Sequence, residues 1–175
     1  MGTVSEVVAT APGKVILMGE HAAVYGRPAV VAALGLRTTV RLRRREGRGV
    51  VLRLRNLGVE AAADWEELAG LAARAQRVWE AHLVDPSTSA LMDLSSRDPA
   101  HVVKIALAET LRALGGAADP RAADGVEVEV SSELPVGSGF GSSASVAVAV
   151  AGALDVLPEG ARHHPAIEQV APEAK

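Results

Sequence analysis

PVGSGFGSSA, residues 135–144, is the stretch from which the fold of this sequence is most directly inferred. It follows a short apolar run rich in β-branched residues, 126–130, which is typical of a strand. It precedes a run of small apolar residues, 144–154, whose Ala-Val pairs also fit a strand by their period of two. Because that run contains no turn signals, we interpret it as a helix buried on most sides. The sequence therefore predicts a strand, a glycine-rich loop and a helix in succession.

The glycine-rich loop has the composition of an anion-binding site. Glycines lack the Cβ atoms that would hold a phosphate away from the backbone, and the first turn of a helix offers unpaired N–H groups at its positive end. Ser142 and Ser143 fall at that helix start, where a hydroxyl can reach a phosphate oxygen or a Mg²⁺ ion. The loop is neither a Walker A loop nor a dinucleotide fingerprint, because it lacks Gly-Lys-Ser/Thr and its glycine spacing differs. The alternative interpretation is a flexible turn before a serine-capped helix.

A second stretch, APGKVILMGEHAAVYGRPA at residues 11–29, concentrates one lysine, one glutamate and one histidine among apolar and turn residues. Lys14 can pair with a carboxylate or a phosphate, and Glu20 and His21 can orient a polar substrate from a strand-to-loop junction. Each residue also has an ordinary structural interpretation: a strand lysine, an acid at a helix start and a loop histidine. From the residues alone, these alternatives stay open.

The rest of the chain mixes strand and helix patterns. Runs rich in β-branched residues predict further strands at residues 7–10, 14–17, 38–42 and 50–54. Asp64 and Glu67 resemble a capping box, and apolar residues at helical spacing follow: Trp65, Leu68, Leu71 or Ala72, Ala75, Val78 or Trp79, and Leu83. A second helix is predicted from Asp98-Pro99 to Gly115-Gly116, with one face formed by Val103, Leu107, Leu111 and Leu114. The class is therefore α+β or α/β.

Length and composition narrow the class of protein. A chain of 175 residues is long enough for one domain with its own core. With no cysteine, it has no disulfide framework, thiolate metal site or thiol nucleophile. A formal net charge of −3 gives no global attraction to nucleic acid or to an anionic membrane. The N-terminus lacks the pattern of a signal peptide, and no long uncharged apolar stretch occurs, so we expect a cytoplasmic protein with small-molecule partners.

Both motifs resemble those of one group of kinases. Residues 11–29 resemble the first signature of mevalonate kinases, and residues 135–144 resemble the second signature of the superfamily of galactokinases, homoserine kinases, mevalonate kinases and phosphomevalonate kinases, the GHMP kinases. The run 19–26, GEHAAVYG, points within that group to mevalonate kinases. The resemblance implies an α+β fold in which the N-terminal domain is similar to the second domain of ribosomal protein S5. It also implies that ATP binds between two domains. It also implies ATP-dependent phosphorylation of the 5-hydroxyl of mevalonate in isoprenoid synthesis.

The resemblance also implies a role for each matching residue. It makes Lys14 a catalytic residue, and it implies that the substrate is bound by Lys14, Glu20 and His21. Ser143 is the expected ligand of Mg²⁺, and residues 55–58 are similar to a family segment near the adenine. The ATP-binding residues that it implies are Pro135, Gly137, Ser138, Gly139, Gly141, Ser142 and Ser143.

Three further family features do not occur in this sequence: the aspartate base, a glutamate Mg²⁺ ligand and a third glycine-rich signature. The carboxylates of Asp155, Glu159, Glu168 and Glu173 lie in no matching context, and we expect them at the surface. We therefore expect residues 1–175 to be the ATP-binding N-terminal domain of such a kinase, shortened at its C-terminal end and without the C-terminal domain. On this expectation the chain alone binds ATP weakly and does not turn over, an apolar patch is exposed, and a homodimer or a complementing C-terminal segment completes the site.

Two alternatives remain. Within the enzyme class, the chain fits a phosphomevalonate kinase or another small-molecule kinase of the same group. In a different class, an S5-like binding module would contact RNA through the basic run 41–48. That run is short, and one Tyr and one Phe offer little stacking surface for bases, so we expect no nucleic-acid partner.

Overall fold

A computed structural model describes residues 6–23, 25–85, 97–114 and 125–156 of the chain. In these ranges one five-stranded sheet carries a layer of helices. The elements in chain order are β1 (Glu6–Met18), α1 (Glu20–Ala23), β2 (Val30–Arg45), β3 (Gly49–Leu54), a 3-10 helix (Arg55–Leu57), β4 (Val59–Ala63), α2 (Trp65–Val84), α3 (His101–Ala113), β5 (Gly125–Ser132) and α4 (Ser142–Val156).

The sheet has the strand order β1-β2-β5-β3-β4, so β5 enters between two strands that precede it in the chain. It pairs antiparallel with β2 and parallel with β3. Val126, Val128 and Val130 of β5 are buried, and Glu127 and Glu129 between them lie on the other face. On the buried face, α4 packs across β1 and β2, α3 packs against α4, and α2 packs against α3. The glycine-rich loop therefore leaves the central strand and leads into the helix that covers the β1–β2 pair.

The predicted strands occur where they were expected, but several of them are longer than predicted. The strands predicted at residues 50–54 and 126–130 are β3 and β5, and the run 38–42 lies inside the longer β2. The two separate runs predicted at 7–10 and 14–17 form the single strand β1, whose register with β2 shifts between Pro12 and Lys14. Proline has no N–H for the ladder, so a bulge lets the strand continue past it. Strand β4 was missed, because its residues 61–63 are three alanines, which give no strand signal.

Helix α2 begins as predicted, and its last turns are exposed. The carboxylate of Asp64 accepts the backbone N–H of Glu67 at 2.6 Å, which caps the helix. Leu68, Ala72 and Ala75 are buried. Of the predicted alternatives Val78 or Trp79, Val78 is half-buried and Trp79 is 51% exposed, and Leu83, also on the predicted apolar face, is 64% exposed. The apolar period continues along the sequence, but no element in the described part of the chain covers the end of this helix.

Helix α3 begins at His101, three residues after the predicted start at Asp98. The Asp98 carboxylate still serves the helix start: it accepts the N–H of Ala100 at 2.8 Å and lies 3.0 Å from the ammonium of Lys104. Val103 and Leu107 are buried as predicted, and the predicted stop at residues 115–116 lies outside the described residues. None of the described helices is both long enough and apolar enough to cross a membrane.

Helix α4 confirms the helical interpretation of the small apolar run. Ser145, Ala149, Val150, Ala153 and Leu154 are buried along it. The expectation of a surface carboxylate at Asp155 is wrong, because this residue is only 6% exposed and its Oδ1 atom has no hydrogen-bond partner among the described residues. Asp155 follows Ala153 and Leu154 in a run of three buried residues at the end of this helix, so the carboxylate is covered together with its apolar neighbours. The other three carboxylates expected at the surface lie outside the described residues.

The sheet face opposite the helices carries charges whose sign alternates from strand to strand. Across the order β1-β2-β5-β3-β4, these are Glu6, Arg41 and Arg43, Glu127 and Glu129, Arg53, and Glu60. Glu6 pairs with Arg41 and, at 2.7 Å, with Arg43. Arg53 lies 2.9 Å from Glu127 and 3.2 Å from Glu60. Two arginines of the basic run 41–48 are therefore neutralised within the sheet.

The charge ladder makes the stability of the fold depend on pH. Hydrogen bonds from Arg43 and Arg41 lower the pKa of Glu6, and a hydrogen bond from Arg55 lowers the pKa of Glu129. A carboxylate with a lowered folded-state pKa stabilises the fold above its unfolded pKa, and this contribution is lost as the pH falls through the folded pKa. We expect the melting temperature to fall as the pH is lowered from about 5 to below about 4, and to fall less in Glu6→Gln.

The control for this prediction is Glu46→Gln. Glu46 is exposed and forms no ion pair with any described residue, so its loss should leave the pH profile of melting unchanged. Melting curves at several pH values check both variants. Identical profiles for the two variants would contradict the role assigned to the ladder.

Candidate functional site

The structure brings the two sequence motifs into contact. The backbone N–H of Lys14, in β1, donates to the carbonyl of Phe140, in the glycine-rich loop, at 2.9 Å. This approach depends on Gly13, where a Cβ atom would lie 2.4 Å from the Leu134 side chain and 3.0 Å from the Phe140 oxygen. A larger residue at position 13 would require the Leu134 side chain or the loop backbone at Phe140 to move. The bulge in β1 at this point therefore forms the junction of the two motifs.

The side chain of Lys14 lies along the end of the loop. A Cβ atom on Gly141 would lie 2.9 Å from Cγ and 3.2 Å from Cε of Lys14. Gly141 also has a φ of +73°, a conformation that glycine adopts at little cost. Because Gly141 immediately precedes α4, the cationic side chain is carried past the positive end of that helix.

The backbone of the loop alternates in handedness. Gly137, Gly139 and Gly141 have φ values of +74°, +74° and +73°, and the residues between them, Ser138 and Phe140, have negative φ. Segments of this alternating kind form concave anion-binding surfaces when their N–H groups point toward one side. The N–H of Ser138 donates to the Pro135 carbonyl at 3.3 Å, which leaves the later N–H groups of the loop for an anion. A Cβ atom at Gly137 or Gly139 would meet no atom within 4 Å, so the outer side of the loop is open.

The start of α4 adds donors to this surface. The N–H of Ser145 donates to the Gly141 carbonyl at 2.9 Å, which begins the helix, and the N–H groups at 142–144 precede the first intrahelical partner. Ser143 is exposed, and the hydroxyl of Ser138 is buried without a hydrogen-bond partner in the described part of the chain. The loop and helix start together offer N–H groups, hydroxyls and a lysine, the chemistry that binds phosphate.

A cavity of about 250 Å³ lies beside the helix start. Its walls are mostly apolar, and Asn56, Ser132, Ser142 and Ser143 provide the polar atoms. Asn56 is held in place because its side chain donates to the Ser132 carbonyl at 2.8 Å and accepts the Ser132 N–H at 2.7 Å. An apolar pocket with a few fixed polar groups, open to an anion-binding loop, fits a flat aromatic base attached to phosphates.

A larger groove, about 560 Å³, lies elsewhere, between α2 and α3. Alanine and leucine side chains form most of its walls, and Arg48, Glu66 and Arg112 are its charged residues. None of its lining residues belongs to the loop or to β1. Size alone favours this groove, but the convergent polar groups are at the smaller cavity.

The structure does not join Glu20 and His21 to the loop. Both belong to the one-turn helix α1 at the far end of β1, and both side chains are exposed. Nε2 of His21 lies 3.9 Å from a carboxylate oxygen of Glu20. Of the three residues singled out in the first motif, Lys14 alone contacts the loop among the described residues, and the other two lie further along the same hairpin.

The described residues can hold a Mg²⁺ ion only when the phosphates of a bound ligand supply most of its other ligands. No group of three His, Cys, Asp or Glu side chains that could hold a metal occurs in the described ranges. Mg²⁺ keeps several waters and is commonly bound through substrate phosphates with one or two protein ligands. The Ser143 hydroxyl, at the start of α4, can serve as one such ligand.

The chain has relatives of known family in sequence. Residues 101–174 match the family GHMP kinases N terminal domain. The mevalonate kinase of Bos taurus is 36% identical over 157 residues, which are 86% of this chain and 39% of that protein. The mevalonate kinase of Archaeoglobus fulgidus is 34% identical over 169 residues, which are 97% of this chain and 44% of that protein.

The fold has the same relatives. The crystal structure of the Methanococcus jannaschii mevalonate kinase superposes with a TM-score of 0.65 at 24% identity and covers 86% of this chain and 40% of that one. The chain thus spans about two fifths of the length of the relatives that it matches. With both signatures in contact at one loop and with these likenesses in sequence and fold, the chain belongs to the GHMP kinase superfamily and corresponds to the N-terminal portion of its members.

Proposed function

We propose that this chain carries the ATP-binding part, and the first acceptor-side residues, of a kinase that transfers a phosphoryl group from ATP to the 5-hydroxyl of mevalonate. The observation that carries the proposal is the backbone hydrogen bond from Lys14 to Phe140. It holds Lys14, a cation of the first motif, against the glycine-rich loop, which is the second motif. The relatives at 34% to 36% identity are mevalonate kinases, which supports the choice of acceptor.

The loop and helix start bind the phosphates of ATP in this proposal. Negative charge is stabilised by the N–H groups of the alternating loop and by the positive end of α4. Pro135 begins the loop, Ser138 contributes to it through its backbone, Ser142 adds a hydroxyl, and Gly137, Gly139 and Gly141 keep the backbone accessible. The cavity beside Asn56 takes the adenine base. Ser143 is the protein ligand of the Mg²⁺ ion that accompanies ATP and neutralises part of the phosphate charge.

Lys14 is the catalytic residue that this chain contributes. Phosphoryl transfer depends on positioning and on stabilisation of the charge on the transferred group, and a lysine at the phosphate loop supplies such a charge. Glu20 and His21 contact the acceptor in this proposal, since both are exposed polar groups on the same hairpin as Lys14. A carboxylate near the attacking hydroxyl is also usual for this chemistry, and residues 135–144 contain no Asp or Glu.

The first test of the proposal is calorimetric titration of the chain with ATP, with and without Mg²⁺. Saturable binding is expected, and Ser143→Ala should weaken binding of Mg·ATP about tenfold, the loss of one hydrogen bond or ligand at about 1.4 kcal/mol. The control is Ser131→Ala, which removes a hydroxyl from β5 outside the site and should leave affinity unchanged. Absence of heat with the unmodified chain, or equal effects of the two variants, would refute the nucleotide site.

A second test concerns the contact between Lys14 and Gly141. Gly139→Ala and Gly141→Ala impose the same backbone strain, about 1 kcal/mol, but only the second places a methyl group against Lys14. We expect Gly141→Ala to lower the free energy of unfolding by about 1 to 3 kcal/mol more than Gly139→Ala. Adding Lys14→Ala to each should remove this difference, as measured by urea unfolding. Equal losses for the two glycine variants with Lys14 present would show that the contact does not exist in solution.

A third test identifies the acceptor. With the chain saturated with Mg·ATP, titration with mevalonate should give binding, and 5-phosphomevalonate should give weaker binding. Glu20→Gln and His21→Ala should weaken mevalonate binding about tenfold each without changing the affinity for ATP. A stronger response to 5-phosphomevalonate would transfer the proposal to phosphomevalonate kinases, and a change in ATP affinity would mean that these residues act on the nucleotide.

A further inference from the structure

A chain of buried hydroxyl groups links the two ends of the glycine-rich loop through the middle of the sheet. Thr38, in β2, is fully buried. Its Oγ1 atom lies 2.9 Å from Oγ of Ser132, at the end of β5, and 2.7 Å from Oγ of Ser145, in the first turn of α4. Ser145 is also buried, at 3% exposure. These three residues were not singled out in the sequence, because a threonine in a strand and two serines at element ends give no signal of a common network.

Each serine of this network contacts one end of the loop. Oγ of Ser132 accepts the backbone N–H of Leu134, the residue before the loop, at 3.2 Å. The hydroxyl of Ser145 donates to the Ser142 carbonyl, the first residue after the loop, at 2.8 Å. The two ends of the loop are therefore tied to a single side chain, Thr38.

The donors and acceptors fix the direction of this chain. Each hydroxyl has one proton to donate. Since Ser145 donates to the Ser142 carbonyl, its oxygen accepts from Thr38, and the oxygen of Thr38 in turn accepts from Ser132. The oxygen of Ser132 then accepts from the N–H of Leu134. Every hydroxyl donates once and accepts once, and hydrogen bonds in such a buried run polarise and strengthen one another.

The same network reaches the cavity beside the loop. Asn56 forms two hydrogen bonds to the backbone of Ser132, one to its N–H and one to its carbonyl. Ser132 and Asn56 both line the cavity. The position of Ser132 is therefore fixed from the cavity side by Asn56 and from the core side by Thr38.

We propose that Thr38 is a positioning residue for nucleotide binding: through Ser132 and Ser145 it sets the separation of the loop ends, and hence the direction of the N–H groups that bind phosphate. The inference rests on the proposed function for the identity of the ligand. Thr38 does not contact the phosphates itself, because it is enclosed in the core beneath the loop. The hydrogen bonds of its hydroxyl limit the flexibility that Gly137, Gly139 and Gly141 would otherwise give to the loop.

The test compares Thr38→Val, which removes the hydroxyl at constant shape, with Thr38→Ser, which keeps it. Thr39→Val is the matched control, because Thr39 is the next residue of β2 and lies on the opposite face of the sheet. The first readout is hydrogen exchange of the ligand-free chain, and the second is the affinity for Mg·ATP. The first readout requires no ligand, so it remains decisive if the proposed function fails.

In Thr38→Val we expect faster exchange, by about tenfold, at the two hydrogen-bonded N–H groups of the loop ends, those of Leu134 and Ser145. Strand β3 should be unchanged, and Mg·ATP affinity should fall about tenfold. Thr38→Ser should restore both values, and Thr39→Val should change neither. If Thr38→Val does not fold, Ser145→Ala, which breaks the same chain in a helix that accepts alanine, should give the same local pattern.

Three outcomes overturn the inference. Exchange that accelerates uniformly over the sheet would make Thr38 an ordinary core residue. Unchanged exchange at the loop ends would show that the hydroxyl chain does not hold them. Faster exchange at the loop with unchanged Mg·ATP affinity would separate loop order from nucleotide binding. If the unmodified chain binds no Mg·ATP, the proposed function fails, and the exchange data alone decide whether Thr38 positions the loop.

Discussion

The hydrogen bond between the Lys14 N–H and the Phe140 carbonyl is the interaction on which the site depends. It joins the edge strand β1 to a loop 126 residues later in the chain, and Gly13, which has no Cβ atom, allows the close approach. Without it, the loop would be a glycine-rich turn next to a helix, and Lys14 a lysine on a strand. With it, a cation, a set of free N–H groups and an apolar cavity lie together at one end of the sheet.

The two faces of the sheet have separate roles in this arrangement. On the buried face α4 packs across β1 and β2, α3 packs against α4 and α2 against α3, so the start of α4 is fixed relative to β1 and β2. The opposite face carries the alternating ion pairs from Glu6 to Glu60 and leaves few unpaired charges in the centre of the sheet. The hydroxyl network of Thr38 ties the two ends of the loop to the buried core. Glycines allow the loop to approach a ligand, and the core limits how far it can move.

Local features of the fold could be predicted from the sequence, and features that join distant segments could not. The Asp64 cap, strand β5, the loop and α4 depend on residues within a few positions of one another, which a pattern records. The single strand β1 across Pro12, the alanine strand β4 and the burial of Asp155 depend on neighbours supplied by the tertiary structure. Thr38 lies 94 and 107 residues from its two hydroxyl partners, a separation at which periodicity carries no information. The motif residues were singled out by residue type and spacing and received their roles through resemblance, and their contact at Gly13 and Gly141 became evident only in the structure.

The measurement that most directly tests this account is a two-dimensional NMR titration that follows every backbone N–H of the chain as Mg·ATP is added. The account predicts that the largest chemical-shift changes fall at residues 137–144, at Lys14 and at Asn56, around the 250 Å³ cavity. Changes centred on Trp65, Ala69 and Leu111 would place the nucleotide in the larger groove between α2 and α3 and contradict the account. Shifts that are absent at every N–H would contradict it equally, because the loop would then bind no nucleotide.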